Sequence, residues 1–150
     1  MFETVVIATD GSESAHRGIR TALDIAERFD ATVHALYVVD TTEIESSPEA
    51  VRAELDEAIR EFGDDALAFV EGETAGNTEL VTAVEQGDPA TEIIDYAEDV
   101  DADVIAMGTR GRHGEHAFLL GSVAEAVVRH SPIPVLTVRQ LESPHHSEHV

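Results

Sequence analysis

Three glycines and a serine late in the chain have the types and spacing of an anion-binding loop. Gly108, Gly111 and Gly121 are spaced G-x2-G-x9-G, and Ser122 follows directly. Glycines let backbone N–H groups approach phosphate oxygens without an interfering Cβ, and the N-terminus of a following helix favours an anion. The Ser122 hydroxyl can donate to a terminal phosphate. It can equally serve as a helix cap, because Ser-Val-Ala-Glu at 122–125 is a capping box, and the spacing leaves both interpretations open.

The charge of this segment differs from that of the rest of the chain. Residues 108–122 contain Arg110 and Arg112 against Glu115, a net charge of +1. The whole chain carries nine basic and 31 acidic residues, for a net charge of −22. A locally positive balance on so acidic a protein favours an anion-binding loop over a random surface turn, which would more commonly be acidic here.

Composition excludes several classes of protein. The chain has 150 residues and no cysteine, which excludes disulfides, zinc–thiolate sites, iron–sulfur clusters and cysteine nucleophiles. All nine basic residues are arginines, so a Walker A lysine and a Schiff-base lysine are absent as well. The net charge of −22 argues against a nucleic-acid partner and against an anionic membrane surface. The dinucleotide fingerprint G-x-G-x-x-G and the nucleophile elbow G-x-S-x-G do not occur.

The acidity fits a folded protein with a solvated surface. Apolar residues make up 43% of the chain, and the acidic residues are scattered at helix-surface spacing. Abundant carboxylates without lysine favour adaptation to molar salt, because at about 1 M the Debye length is near 3 Å and self-repulsion is screened. The N-terminus lacks a signal-peptide pattern and no apolar run approaches the roughly 20 residues of a membrane span. These features predict a cytoplasmic protein.

Short apolar runs alternate with helical patterns along the whole chain. The strands are predicted at 4–9, 32–39, 79–84, 103–108 and 132–139. The helices are predicted from Ala15 to Phe29, from Pro48 to about Phe69, from Pro89 to Val100 and from Ser122 to His130, with a polar loop at 40–47 and a possible interruption at Gly63. We expect one domain over 1–140 and a flexible tail over 141–150, whose histidines fit a polar tail better than a metal site.

This alternation predicts an α/β fold, a single doubly wound domain with helices on both faces of a five-stranded parallel sheet. In such sheets a ligand lies beyond the carboxyl ends of the strands, where the strand order reverses. If the order is 3-2-1-4-5, the reversal lies between strands one and four. The loops that begin at Asp10 and Gly108 would then face each other.

Several segments resemble the ATP-binding branch of the universal stress protein family. The weaker matches are VIATDGS at 6–12, YVVD at 37–40 and GDP at 87–89. The stronger ones are MGTRG at 107–111, LGSV at 120–123 and VRHSPIPVL at 128–136. The resemblance covers nearly the whole chain, and G-x2-G-x9-G-[ST] is the spacing that the ATP-binding members share.

The resemblance implies an ATP site and, by position, its residues. Asp10 and the backbone of Val38 would hold the adenosine end. The adenine and ribose would be lined by four residues at the ends of strands one and four, namely Ala8, Thr9, Met107 and Gly108. The phosphates would lie on Gly111, Gly121, Ser122 and Val123, with Arg110 beside them and Mg²⁺ or Mn²⁺ bridging phosphate oxygens. No protein side chains are assigned to a metal.

Three functions remain open at this point. The leading one is an ATP-binding stress-response or regulatory protein with at most slow hydrolysis, because no residue constellation indicates a fast catalyst. The second is a slow ATPase or nucleotidyl-transfer enzyme of the same fold. The third is a dimeric interaction module that binds no nucleotide. A homodimer is expected through residues 133–139, since an apolar edge strand favours pairing with its own kind.

Overall fold

A computed structural model describes residues 2–109 and 120–141. Its centre is a parallel sheet of five strands in the order β3-β2-β1-β4-β5, which confirms the predicted fold class and strand order. The strands are β1 Thr4–Ala8, β2 Thr32–Asp40, β3 Leu80–Gly87, β4 Val104–Gly108 and β5 Val135–Val138. Val5 of β1 is in register with Val33 on one side and with Val104 on the other.

Two helices cover each face of the sheet. The long helices are α1 His16–Phe29, α3 Arg52–Glu73, α4 Pro89–Asp99 and α5 Ser122–His130, and a short α2 spans Thr41–Glu45. α1 and α3 pack on the face that contains Val5 and Ile7, whereas α4 and α5 pack on the face that contains Val6 and Ala8. Both faces of β1 are therefore buried, which explains its continuous run of β-branched residues.

The segment between β2 and α3 was predicted wrongly as a loop over 40–47. It contains α2, whose N-cap is Asp40, and a 3-10 turn at Glu49–Val51 precedes α3. Pro48 therefore does not open the long helix. α3 also runs without interruption through Gly63, where an added Cβ would lie 2.5 Å from the Tyr37 ring. Glycine stands in this helix because the buried tyrosine leaves no room for a side chain.

The starts of α4 and α5 differ from each other. Asp88 caps α4: its carboxylate accepts the Thr91 N–H at 3.1 Å, and Pro89 occupies the first turn, where the helix was predicted to begin. In α5 the N-cap position belongs to Gly121, and Ser122 is the first helical residue. The interpretation of Ser122 as the N-cap of a capping box is therefore wrong.

The two ends of the described chain are fixed differently. At the N-terminus, Asp103 Oδ2 accepts the N–H groups of Glu3 at 2.8 Å and Thr4 at 3.0 Å. These bonds lower the pKa of the Asp103 carboxyl. At the other end β5 is shorter than predicted, because Pro132 and Pro134 precede it. Residues 142–150, which carry most of the predicted tail, lie outside the described residues, and none of the described helices is long and apolar enough to cross a membrane.

Candidate functional site

The loop after β1 is held by its own side chains. The Thr9 N–H donates to the Leu36 carbonyl at 3.0 Å, and Thr9 Oγ1 accepts the Gly11 N–H at 3.1 Å. Asp10 Oδ1 accepts both the N–H and the hydroxyl of Ser12, at 2.9 and 2.6 Å. Gly11 has a φ of +81°, a conformation that L side chains rarely adopt, so glycine is required at this turn.

The end of β2 and the first turn of α2 contribute one carboxylate each. Asp40 Oδ1 accepts the N–H groups of Thr42 at 3.0 Å and Glu43 at 3.2 Å, which caps α2. This cap fixes the first turn of α2 directly after the end of β2. Asp40 and Glu43 both line the same cavity as Asp10.

The end of β4 and the start of α5 supply backbone groups. A Cβ at Gly108 would lie 3.0 Å from the Ser14 carbonyl oxygen, so the strand end and the loop after β1 approach closely. The Gly121 N–H donates to the Thr109 carbonyl at 2.6 Å, and the first bond within α5 runs from the Glu125 N–H to the Gly121 carbonyl. The first turn of a helix points its backbone N–H groups outward, and together with the helix dipole this makes the start of α5 favourable for an anion.

These strand ends enclose a cavity of about 170 Å³ within the described part of the chain. Its apolar wall consists of Ala8, Ala15, Leu36, Val38, Pro89, Ile93, Met107, Val123 and Ala124, and its polar wall consists of Thr9, Asp10, Asp40, Glu43, Gly108, Gly121 and Ser122. Among the described lining residues three are acidic and none is basic. The acidic ones lie at or just beyond the ends of β1 and β2, whereas Gly121 and Ser122 lie at the start of α5.

The structure brings most of the predicted site residues together. Nine of the eleven line this cavity: Ala8, Thr9, Asp10, Val38, Met107, Gly108, Gly121, Ser122 and Val123. Arg110 and Gly111 lie outside the described residues. Sequence reasoning missed Glu43 and Ile93, among others. The missed signal for Glu43 was its position just beyond a strand end, which the expected loop at 40–47 concealed.

Two side chains with displaced pKa values lie on the α4 side of β2, away from the cavity. His34 Nδ1 and the Tyr96 hydroxyl are 2.8 Å apart, and burial lowers the pKa of His34 although Glu79 acts in the opposite direction. Burial, together with the charge of Glu85, raises the pKa of Tyr96. Within 2–109 and 120–141, no group of three or more histidine or acidic side chains is arranged to hold a metal ion.

The sheet order and the cavity define a doubly wound α/β protein with a ligand-sized site at its topological switch point. The sequence profile of the universal stress protein family matches residues 1–139, and the chain belongs to that family.

Individual relatives agree with this assignment. A universal stress protein of Methanocaldococcus jannaschii is 40% identical over 143 residues, which cover 93% of this chain and 84% of the relative. The solved structure of the hypothetical protein MJ0577 has a TM-score of 0.81 and 30% identity, covering 95% of this chain and 99% of that one. A universal stress protein in complex with cAMP has a TM-score of 0.67 and 26% identity, covering 92% and 97%.

Proposed function

We propose that this protein binds ATP in the cavity between the ends of β1, β2 and β4, and acts as a regulatory protein of the stress response. The observation that carries the proposal is that residues from three strand ends, distant in sequence, line one cavity together with the start of α5. The cAMP-bound relative supports a nucleotide as the class of ligand. The spacing of Gly108, Gly111 and Gly121 before Ser122 favours a triphosphate as that nucleotide.

The distribution of polar groups favours one orientation of the nucleotide in the cavity. The carboxylates of Asp10, Asp40 and Glu43 accept hydrogen bonds and repel phosphate, so they suit the hydroxyls and amino group of adenosine. The backbone N–H groups at the start of α5 suit phosphate oxygens. The base would lie against Val38, Met107 and neighbouring apolar side chains, with the phosphates toward Gly121.

A divalent cation fits this arrangement as a companion of ATP. Mg²⁺ or Mn²⁺ would arrive on the phosphates, because such ions are commonly held by substrate phosphates and water with few protein ligands. Such an ion neutralises phosphate charge. The role of the chain is to present the amides of α5 and to keep its carboxylates at the adenosine end.

A regulatory role is favoured over a dedicated enzyme. The sequence carries no constellation of residues that indicates a fast catalyst of phosphoryl transfer. Slow hydrolysis is the alternative, and phosphate release at saturating ATP and Mg²⁺ distinguishes the two. We expect turnover far below the roughly 10 s⁻¹ that is typical of enzymes.

Calorimetry with ATP and adenosine tests the binding proposal. ATP should bind much more tightly than adenosine, and Gly121→Val should abolish ATP binding because a branched side chain would occupy the phosphate position. Gly121 has φ −63° and ψ 161°, which valine adopts without strain, so the variant should fold. Gly76→Val is the matched control, since an added Cβ there meets nothing within 4 Å. Equal affinity for adenosine and ATP would contradict the phosphate placement, and unchanged ATP binding by Gly121→Val would contradict the site.

We also propose a homodimer through residues 133–139. β5 pairs with β4 on one side, and no described strand pairs with its other edge. Val135 and Leu136 are only partly buried there. Light scattering should give the mass of a dimer, and Val135→Asp should reduce it to a monomer. Val81→Asp, on the exposed opposite edge of the sheet, should leave the dimer intact.

A further inference from the structure

The loop after β1 separates two cavities, and the helix α2 borders one of them. The first is the cavity between the ends of β1, β2 and β4. The second, of about 200 Å³, lies on the opposite face of the sheet between α1 and α3, and Thr9 lines both. Among the described residues, α2 contributes to the first cavity alone, through Glu43. A change in the Glu43 side chain therefore acts on the first cavity and leaves the wall of the second intact.

The backbone that carries Glu43 is held on both sides. α2 has five residues, too few for a helix to be stable by itself, so its position depends on the side chains around it. The Glu43 N–H donates to Asp40 Oδ1 at 3.2 Å. The Glu43 carbonyl accepts the hydroxyls of Ser46 at 3.1 Å and Ser47 at 3.0 Å. Arg52 of α3 in turn donates to the Ser47 carbonyl at 3.0 Å, which ties the end of α2 to the next helix.

The first cavity has an apolar floor and a polar rim. The floor consists of buried side chains, namely Ala8, Leu36, Val38, Ile93, Met107 and Ala124. At the rim, Asp10, Asp40 and Glu43 are half-buried and Ser122 is exposed. The faces of an adenine base suit the floor, because ligand sites commonly bury flat apolar groups and place polar groups around them. A nucleotide with its base on the floor has its sugar and phosphates at the rim.

Charge divides this rim into two sides. The carboxylates lie at the ends of β1 and β2, whereas the backbone N–H groups of α5 follow β4, on the other side of β1. Phosphates directed toward α5 would leave the ribose hydroxyls facing the carboxylates. A carboxylate accepts a hydrogen bond from a hydroxyl, and such charge-assisted bonds are strong, but it repels the oxygens of a phosphate.

We propose that Glu43 selects nucleotides whose ribose hydroxyls are free, a role that rests on the proposed nucleotide binding. The Glu43 carboxylate accepts a hydrogen bond from the ribose. A phosphate ester at the 2′ or 3′ oxygen removes a donor and places negative charge beside this carboxylate. The site therefore accepts adenosine 5′-phosphates and disfavours 3′,5′-cyclic AMP and nucleotides that carry a phosphate at the 3′ position.

Calorimetry with ATP and 2′,3′-dideoxy-ATP tests this selection, because the two ligands share their base, phosphates and charge. The parent protein should bind ATP about tenfold more tightly than the dideoxy analogue. Glu43→Ala should remove most of that preference by weakening ATP alone. Alanine is the most favourable residue in a helix, so the variant should keep α2. Glu45→Ala is the matched control and should keep the preference, because Glu45 has the same charge, lies on the same helix, is exposed and does not line the cavity.

A second pair of ligands, AMP and 3′,5′-cyclic AMP, tests the effect of the ester. The cyclic nucleotide should bind the parent about tenfold more weakly than AMP, although it carries less negative charge. Glu43→Ala should narrow this difference, and Glu45→Ala should not.

The outcomes distinguish this inference from the proposed function. ATP binding with equal affinity for the dideoxy analogue would overturn the role of Glu43 and leave the nucleotide site standing. An unchanged preference in Glu43→Ala, or equal affinities of the parent for AMP and cyclic AMP, would overturn it in the same way. No binding of ATP by the parent would overturn the proposed function and this inference together.

Discussion

The two cavities beside the loop after β1 are lined by different kinds of residues. The first is lined by small residues, strand-end backbone and the start of a helix, with carboxylates at one end. The second is lined by aromatic rings and the side chains of two packed helices. The first should therefore be sensitive to any added Cβ, whereas the second should be sensitive to the size and charge of a few side chains. The loop that separates them is subject to both constraints.

The largest expected effect comes from Gly11→Ala. Alanine at a φ of +81° is strained. Its Cβ would also lie 2.8 Å from Phe62 Cδ1, which is closer than van der Waals contact. We expect a loss of about 2 kcal/mol in the free energy of unfolding, measured by urea denaturation. Gly76→Ala, in open space, should change it by less than about 0.5 kcal/mol.

The double variant Gly11→Ala/Phe62→Leu separates the two causes of that loss. If the ring contributes, the smaller leucine should recover part of the stability, and the remainder is backbone strain. A Gly11→Ala protein as stable as the parent would show that neither backbone strain nor the Phe62 ring restricts the side chain at position 11.

Ser122→Ala should have the next largest effect, and only on the first cavity. Loss of a hydroxyl that donates to charged phosphate should weaken ATP binding by about 1–2 kcal/mol, measured by calorimetry. Adenosine affinity should be unchanged, because the proposed orientation of ATP puts Ser122 at the phosphate end. Ser14→Ala is the control, since Ser14 is half-buried and does not line the cavity. Equal losses for ATP and adenosine would place Ser122 at the wrong end of the ligand.

Salt should raise the stability of the whole protein, on both faces of the sheet. A net charge of −22 produces long-range repulsion at low ionic strength, and salt screens it. The midpoint of thermal unfolding should rise steadily as KCl is increased from about 0.1 to 3 M. A flat or falling series would contradict the expected adaptation to high salt.

Low pH should lower the free energy of unfolding through His34, which lies on the α4 side of β2. Its pKa in the folded protein lies below the ordinary value, so the unfolded chain binds this proton more readily. The free energy of unfolding should therefore fall as the pH drops from about 6.5 toward the lowered value. His34→Gln should flatten this part of the profile in chemical denaturation at several pH values. An unchanged slope in the variant would assign the pH dependence to other groups.

The sequence was informative where local chemistry decides the structure. The β-branched runs, the cap at Asp88 and the placement of Asp10 opposite Gly108 could all be predicted from the chain. What could not be predicted depends on contacts between distant segments. Gly63 continues its helix because the Tyr37 ring lies against it, and the hydroxyl of Tyr37 donates to the Ile59 carbonyl at 3.0 Å.

The second cavity illustrates the same limit. Phe62 and Phe69 have the spacing of an ordinary buried helix stripe, so their sequence pattern predicts a filled core. The space between them exists because α1 presents His16 and Ile19 at that level, a matter of how two helices pack. The short α2 was missed for a different reason, since five residues carry too little periodicity to distinguish a helix from a polar loop.

The position of β1 between β2 and β4 has a consequence for the synthesis of the protein. Chains emerge from the ribosome N-terminus first, and early segments begin to fold before later ones exist. β1 and β2 can pair as soon as residue 40 has emerged, but the other edge of β1 has to wait for residues 104–106. Until then a central, largely apolar strand has an open edge, which is a risk for aggregation. The first cavity is completed later still, because its helix start at Ser122 is among the last structured segments to leave the ribosome.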